Sequence, residues 1–160
     1  MRLGWKSRLV GAGALTLALL GSNLALAVDE PDNIINYRKD IMRANGGHMG
    51  SLAAMARGDV SFTDEAALHA RTIHEMSQNI GRLFPPGTGP GETEVETRAL
   101  AKIWERPDDF QHAITSLQEQ SARMVEVAES GDQVAFAQQV GQLGQQGCGN
   151  CHEDFRQRDD

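Results

Sequence analysis

Beyond residue 30, apolar residues recur at spacings of three, four and seven, the period of amphipathic helices, in four stretches. The first follows Pro31, with Asp32 as its candidate cap. It carries Ile34, Ile35, Ile41, Met42, Met49, Leu52, Ala53 and Ala56 and closes at Arg57-Gly58-Asp59, where a glycine suits a C-terminal cap. The second begins near Thr63-Asp64, places Ala66, Ile73, Met76, Ile80 and Leu83 on one stripe, and stops before Pro85-Pro86. The third follows Pro107, with Asp108 and Asp109 as cap candidates, and presents Phe110, Ala113, Ile114, Leu117, Ser121, Met124, Val125 and Ala128. The fourth is capped by Asp132 and runs through Ala137, Val140, Gly144, Cys148, Cys151, His152 and Phe155. Each spans about 18–25 residues, or roughly 27–37 Å. No strand pattern competes. Four helices of matched length with mostly short connections predict an all-α fold, an antiparallel four-helix bundle.

The longer connection, Phe84-Pro85-Pro86-Gly87-Thr88-Gly89-Pro90-Gly91, is too irregular for a helix and reads as a crossover between helices two and three. A short helix is expected after it, from Thr93 to Trp104. The start of the chain follows a different logic. Arg2, Lys6 and Arg8 precede an apolar run from Leu9 to Leu20, and Ala25-Leu26-Ala27 supplies a small-x-small cleavage pattern. Residues 1–27 therefore read as a cleaved secretory signal, with an uncleaved anchor as the alternative, and 28–160 as one helical domain of 133 residues. Export points to the periplasm.

Without the leader, 12 basic residues stand against 22 acidic ones, a net charge of −10. Such a domain does not favour nucleic acid or an anionic membrane. It suits a basic redox partner, although solubility alone accounts for the charge.

The only two cysteines fall in Cys148-Gly-Asn-Cys151-His152. Cys-x-x-Cys-His is the attachment order of a c-type haem: each thiol forms a thioether, and the following imidazole becomes an axial ligand of the iron. A disulfide here would close a very small loop and stabilise little. Zinc would need about four ligands, and no further cysteine supplies them. A thiol oxidoreductase would place the motif after a strand in an α/β context. On a helix the three residues lie at i, i+3 and i+4 and share a face. Gly141, Gly144 and Gly147, just upstream, suggest close approach either of the macrocycle or of a neighbouring helix. Of the other histidines, His48 stands out because it lies in helix one beside Met49. No nucleophile or acid–base pair is evident, so an enzyme is not expected.

With Tyr37-Arg38 and Met42 in helix one, Phe84-Pro85-Pro86-Gly87-Thr88 in the crossover, Ile103-Trp104, and Cys148-x-x-Cys151-His152-x-x-Phe155-Arg156 near the end, residues 33–158 resemble the class II c-type cytochromes, the cytochrome c′ family. Phe155 stands where the family commonly has tyrosine. The resemblance implies a four-helix bundle holding one covalent haem c, often as a homodimer. It also implies that a helix-one residue, matched here by Met42, lies over the distal face of the haem. Arg38 matches the residue that pairs with a haem propionate, and Arg156 the basic residue beside the proximal ring.

Two functions follow from the sixth position. If the Met42 thioether bonds the iron opposite His152, the protein is a low-spin electron carrier serving redox partner proteins. If Met42 is only a lid, the iron is five-coordinate and open to NO or CO. A haem-free helical thiol protein is the third reading.

Overall fold

The computed structural model describes residues 29–158, so the secretory-signal reading of residues 1–27 lies outside the described residues. α1 spans Pro31–Arg57. Pro31 occupies its first turn, where a missing N–H costs nothing, and Glu30 is the capping position. Asp32 is therefore not the cap; it lies in the first turn, where a carboxylate complements the positive end of the helix. Gly58 ends α1 with φ +74°, and its own N–H and that of Asp59 bond back to Met55 and Ala54 carbonyls.

The second stretch is not one helix. A 3₁₀ turn over Thr63–Glu65 leads into α2, Ala66–Ser77, and a second 3₁₀ turn spans Ile80–Leu83. The break has a local cause. Gln78 and Asn79 N–H groups reach back only three residues, to Glu75 and Met76 carbonyls, and the Ser77 hydroxyl donates to the His74 carbonyl.

The helix expected from Thr93 to Trp104 shrinks to α3, Lys102–Glu105. Its first half is extended because the chain end pairs with it. Leu100 N–H donates to the Phe155 carbonyl (3.0 Å) and Gln157 N–H to the Arg98 carbonyl (2.8 Å), forming an isolated antiparallel bridge between Ala99 and Arg156. Thr93 and Thr97 hydroxyls also take nearby backbone groups that a helix would need.

α4 spans Pro107–Ser130. Its capping position is Arg106, not Asp108 or Asp109; Arg106 Nε instead donates to Asp109 Oδ2 (2.7 Å). The fourth stretch starts as expected, with Asp132 Oδ1 accepting from Val134 and Ala135 N–H. It then changes winding. α5 (Gln133–Gln142) passes into a π-helical stretch, Leu143–Gly149, before α6, Asn150–Phe155.

α1 packs against α2 and α5, and α4 packs against α2, α5 and the π stretch, so the helices close a four-cornered bundle. Leu52, Ile73, Ile114, Met124, Phe136 and Leu143 sit in one continuous apolar core. Ala137, expected on the inner face of the fourth stretch, is exposed. At the end of the bundle that carries the crossover, Phe84, Phe110 and Phe155 stack edge to face in series, with centroids 5.0 and 5.2 Å apart. Among the described residues no helix is long and apolar enough to cross a membrane.

Candidate haem site

The aromatic series borders a cavity of about 1090 Å³. α1 supplies Arg38 and Met42, the crossover Phe84, the extended segment Thr97 and Ala99, α3 Ile103, α4 Phe110, and the chain end Cys151, His152, Phe155 and Arg156. Met42 and His152, more than a hundred positions apart, thus line one space.

The winding of the fourth stretch decides how the motif is presented. Cys151 and His152 sit on α6 and line the cavity, whereas Cys148 belongs to the π stretch and is not in the cavity wall. It is half-buried against the apolar core. The winding through Cys148 is π rather than α, so its spacing to Cys151 is not that of a regular helix, yet both cysteines pack against the same apolar core. The glycines upstream answer the question left open by their spacing. A Cβ on Gly147 would come within 2.9 Å of Leu143 Cδ1 in its own stretch and 3.3 Å of Leu117 Cδ1 on α4, so there the tight packing is of protein side chains, α4 among them. Gly144 would meet only Met49 Cε at 3.6 Å, and Gly141 nothing within 4 Å.

No disulfide joins the two cysteines, so both thiols are available for thioether bonds. Burial pushes Cys148 up, and burial with the neighbouring Cys148 pushes Cys151 to about 11, so both carry their protons at neutral pH. His152 moves the other way. It lines the cavity and its residue is exposed, yet desolvation of the ring, followed by the charge of Arg156, holds it below the usual histidine range. At neutral pH it is a neutral imidazole with a lone pair to offer a metal.

Arg38 is 3% exposed, unusually deep for a cation. Its Nη1 donates to the Leu83 carbonyl (3.0 Å) and Thr88 Oγ1 (3.1 Å), and its Nη2 to the Thr88 carbonyl (2.9 Å) and Thr97 Oγ1 (2.8 Å). Its guanidinium also lies over the Phe84 ring, 4.6 Å from the centroid. Burial lowers its pKa, but a guanidinium stays charged. Four of its five N–H donors are thus spent on Leu83, the crossover and the extended segment. Thr88, fully buried, and Thr97 are site residues that sequence reasoning did not single out. The cue was a threonine inside a proline- and glycine-rich loop, without any sign of its partner. Arg156 lies just past the end of α6 in extended backbone, rather than on a continuing helix turn.

His48, marked by its place in helix one, does not reach the cavity; its ring faces His69 on α2. His74 meets Ser121 Oγ (3.1 Å), and His112 is exposed.

The residues fit a covalent haem. The Cys151 thiol and a neutral imidazole line a cavity as large as those that take sizeable ligands, roughly 300–1,000 Å³, Cys148 lies one turn before them, and aromatic and aliphatic side chains form much of the wall. A family model described as Cytochrome C′ matches residues 33–156. The chain belongs to the cytochrome c′ family. Cytochrome c-554 of Cereibacter sphaeroides is 34% identical over 156 residues, covering 95% of this chain and 99% of that protein. Cytochrome c′ of Pararhodospirillum photometricum is 30% identical over 127 residues, 79% of this chain and 98% of its own. Among solved structures, cytochrome c′ from Rhodobacter spheriodes superposes with a TM-score of 0.74 at 29% identity, covering 82% of this chain and all of that one. Members of the cytochrome c′ family are monohaem c-type cytochromes built as four-helix bundles, and the haem is covalently bound through the two cysteines.

Proposed function

We propose that this cytochrome is an exported, periplasmic gas-binding protein, with His152 as the proximal ligand and Met42 as an apolar lid over a sixth position open to NO or CO. One observation carries the reading. Met42 is half-buried against the apolar core while it lines the same cavity as His152. A thioether held this way forms a wall without having to be a ligand. Relatives that bear the name cytochrome c′ support the same side.

The bound haem supplies the iron that takes the ligand or the electron. The chain's residues do the rest. His152 offers a neutral imidazole, kept so by desolvation and then by the adjacent Arg156 charge. Arg38 fixes the crossover, holding Phe84 against the cavity. Phe110, Phe155 and Ile103, all buried, limit the access of water. This is binding rather than catalysis.

The second reading is an electron carrier with Met42 bonded to the iron, serving redox partners and able to form a homodimer. It is favoured by the placement of a free thioether and an imidazole on different helices around one cavity. Thioether ligation would raise the potential.

Ferric and ferrous absorption spectra, with and without CO, separate the two. The gas-binding reading expects a high-spin spectrum that shifts with CO, and a Met42→Ala variant that binds CO at least as well. A low-spin spectrum indifferent to CO, turned high-spin and CO-sensitive by Met42→Ala, establishes the electron carrier instead. Absence of a Soret band after expression with haem-maturation machinery sinks both.

A further inference from the structure

Outside the haem cavity, α1 and α2 bring two imidazoles together. His48 Nδ1 and His69 Nδ1 are 2.8 Å apart, with ring centroids 5.1 Å apart and planes inclined by 52°. Both rings are half-buried, so the pair is accessible from solvent. Two neutral imidazoles in this arrangement share one Nδ1–H: one ring donates and the other accepts. Burial, and then the presence of His69, hold His48 below the usual histidine range, which keeps it neutral at pH 7.

We propose that His48 and His69 form a binding site for a divalent ion of the zinc type. The separation of the two nitrogens is close to what such an ion needs. With zinc–nitrogen bonds of about 2.0–2.1 Å, two ligands lie about 2.9 Å apart at a right angle and about 3.3 Å apart at the tetrahedral angle. The two Nδ1 atoms point at each other, as in a hydrogen bond, so besides opening by a few tenths of an ångström each ring has to turn about its side-chain torsions until both lone pairs converge on one ion. The proton balance is simple. The shared Nδ1–H moves through solvent to Nε2 of the same ring, so both rings become neutral Nε2–H tautomers with both Nδ1 lone pairs on the ion. No net proton is released from a neutral pair. If one ring starts protonated, one proton leaves, so the site weakens as pH falls.

Among the described residues no cluster of three or more His, Cys, Asp or Glu could hold a metal, so water completes the coordination. One turn before His48, Asn45 has its Oδ1 buried without a hydrogen-bond partner. Residues three apart are neighbours on a helix, so a metal-bound water would be a donor close to an oxygen that lacks one.

Calorimetric titration of Zn²⁺ into the full haem-loaded chain, stripped beforehand with chelator, tests the site. One ion per chain is expected, with unchanged binding in His112→Gln, whose histidine is exposed on α4. His48→Gln and His69→Gln should each weaken binding by at least the roughly 10–100-fold that loss of even an outer-shell partner costs. A wild-type chain that takes no ion, or two variants that bind as the wild type does, overturns the proposal. Should either variant fail to fold, ¹⁵N-histidine spectra of the ferrous wild-type chain decide. Zn²⁺ must shift the Nδ1 resonances of both rings, and a shift confined to one of them or to other histidines also overturns it.

Discussion

Arg38 does more for the site than its place in the family pattern implies. A buried cation is tolerated only when its donors are satisfied, and here the partners are Leu83, Thr88 and Thr97, which lie 45, 50 and 59 residues away. One side chain therefore staples the crossover and the extended segment onto α1. An Arg38→Leu variant leaves the Leu83 and Thr88 carbonyls without donors, at about 1–3 kcal/mol for each group left buried and unpaired. Urea unfolding should show a loss of that order, with a smaller loss when the same change is made in a Thr97→Val background, because the two share a bond. Strictly additive losses would place the stabilisation elsewhere. The contrast with the proximal motif explains what the sequence could show at this scale. Cys148, Cys151 and His152 are contiguous, so their order alone names the chemistry. Met42 is found through helical register and family position. The grip of Arg38 on Thr88 and the His48–His69 contact depend on which loops and helices meet, and no short-range pattern carries that.

At the scale of elements, the bundle was legible wherever the signals were local. Gly58 and Asp132 cap as read, and Pro31 and Pro107 sit in first turns. The misreadings share a cause, which is backbone hydrogen bonding to a distant or an unexpected partner. The Thr93 stretch is pulled straight by residues 155–157. The fourth stretch keeps its apolar face but takes a π turn, which hydrophobic periodicity does not distinguish from an α turn. The helix glycines offer a direct measure of where packing is tight. Gly141→Ala meets open space and gains helix propensity, so it should stabilise by up to about 1 kcal/mol. Gly147→Ala forces its methyl against Leu143 and Leu117 and should cost about 1–3 kcal/mol. Thermal unfolding of both, with the Soret spectrum as a check on haem attachment, tests this; a Gly147→Ala chain as stable as the wild type would show that the helices can part there freely.

For the molecule as a whole, charge and volume are distributed unevenly. Although residues 28–160 carry −10, the cavity is lined by Arg38, Lys39, Arg43, Arg98, Arg156 and Arg158, with Glu96 as the one acid among those residues. The acidity that suggested a basic partner thus does not describe the cavity mouth, which is suited to carboxylates. Volume is divided in the same way. Leu52, Ile73, Met124 and Leu143 pack a core that does not border the cavity, whereas Ile103, Phe110 and Phe155 are core residues that do. Haem loss should therefore loosen one end of the bundle first. A Cys148→Ala/Cys151→Ala chain, freed of any non-covalent haem, should keep most of its far-ultraviolet helix signal, bind a hydrophobic dye and unfold over a broader temperature range, as expected when fixed packing is lost but helices remain. Restored sharp unfolding on adding haem would tie the loss to the cavity. If instead the haem-free chain melts as sharply as the holoprotein and binds no dye, the aromatic series closes the cavity by itself, and the haem is a passenger in the fold rather than part of its core.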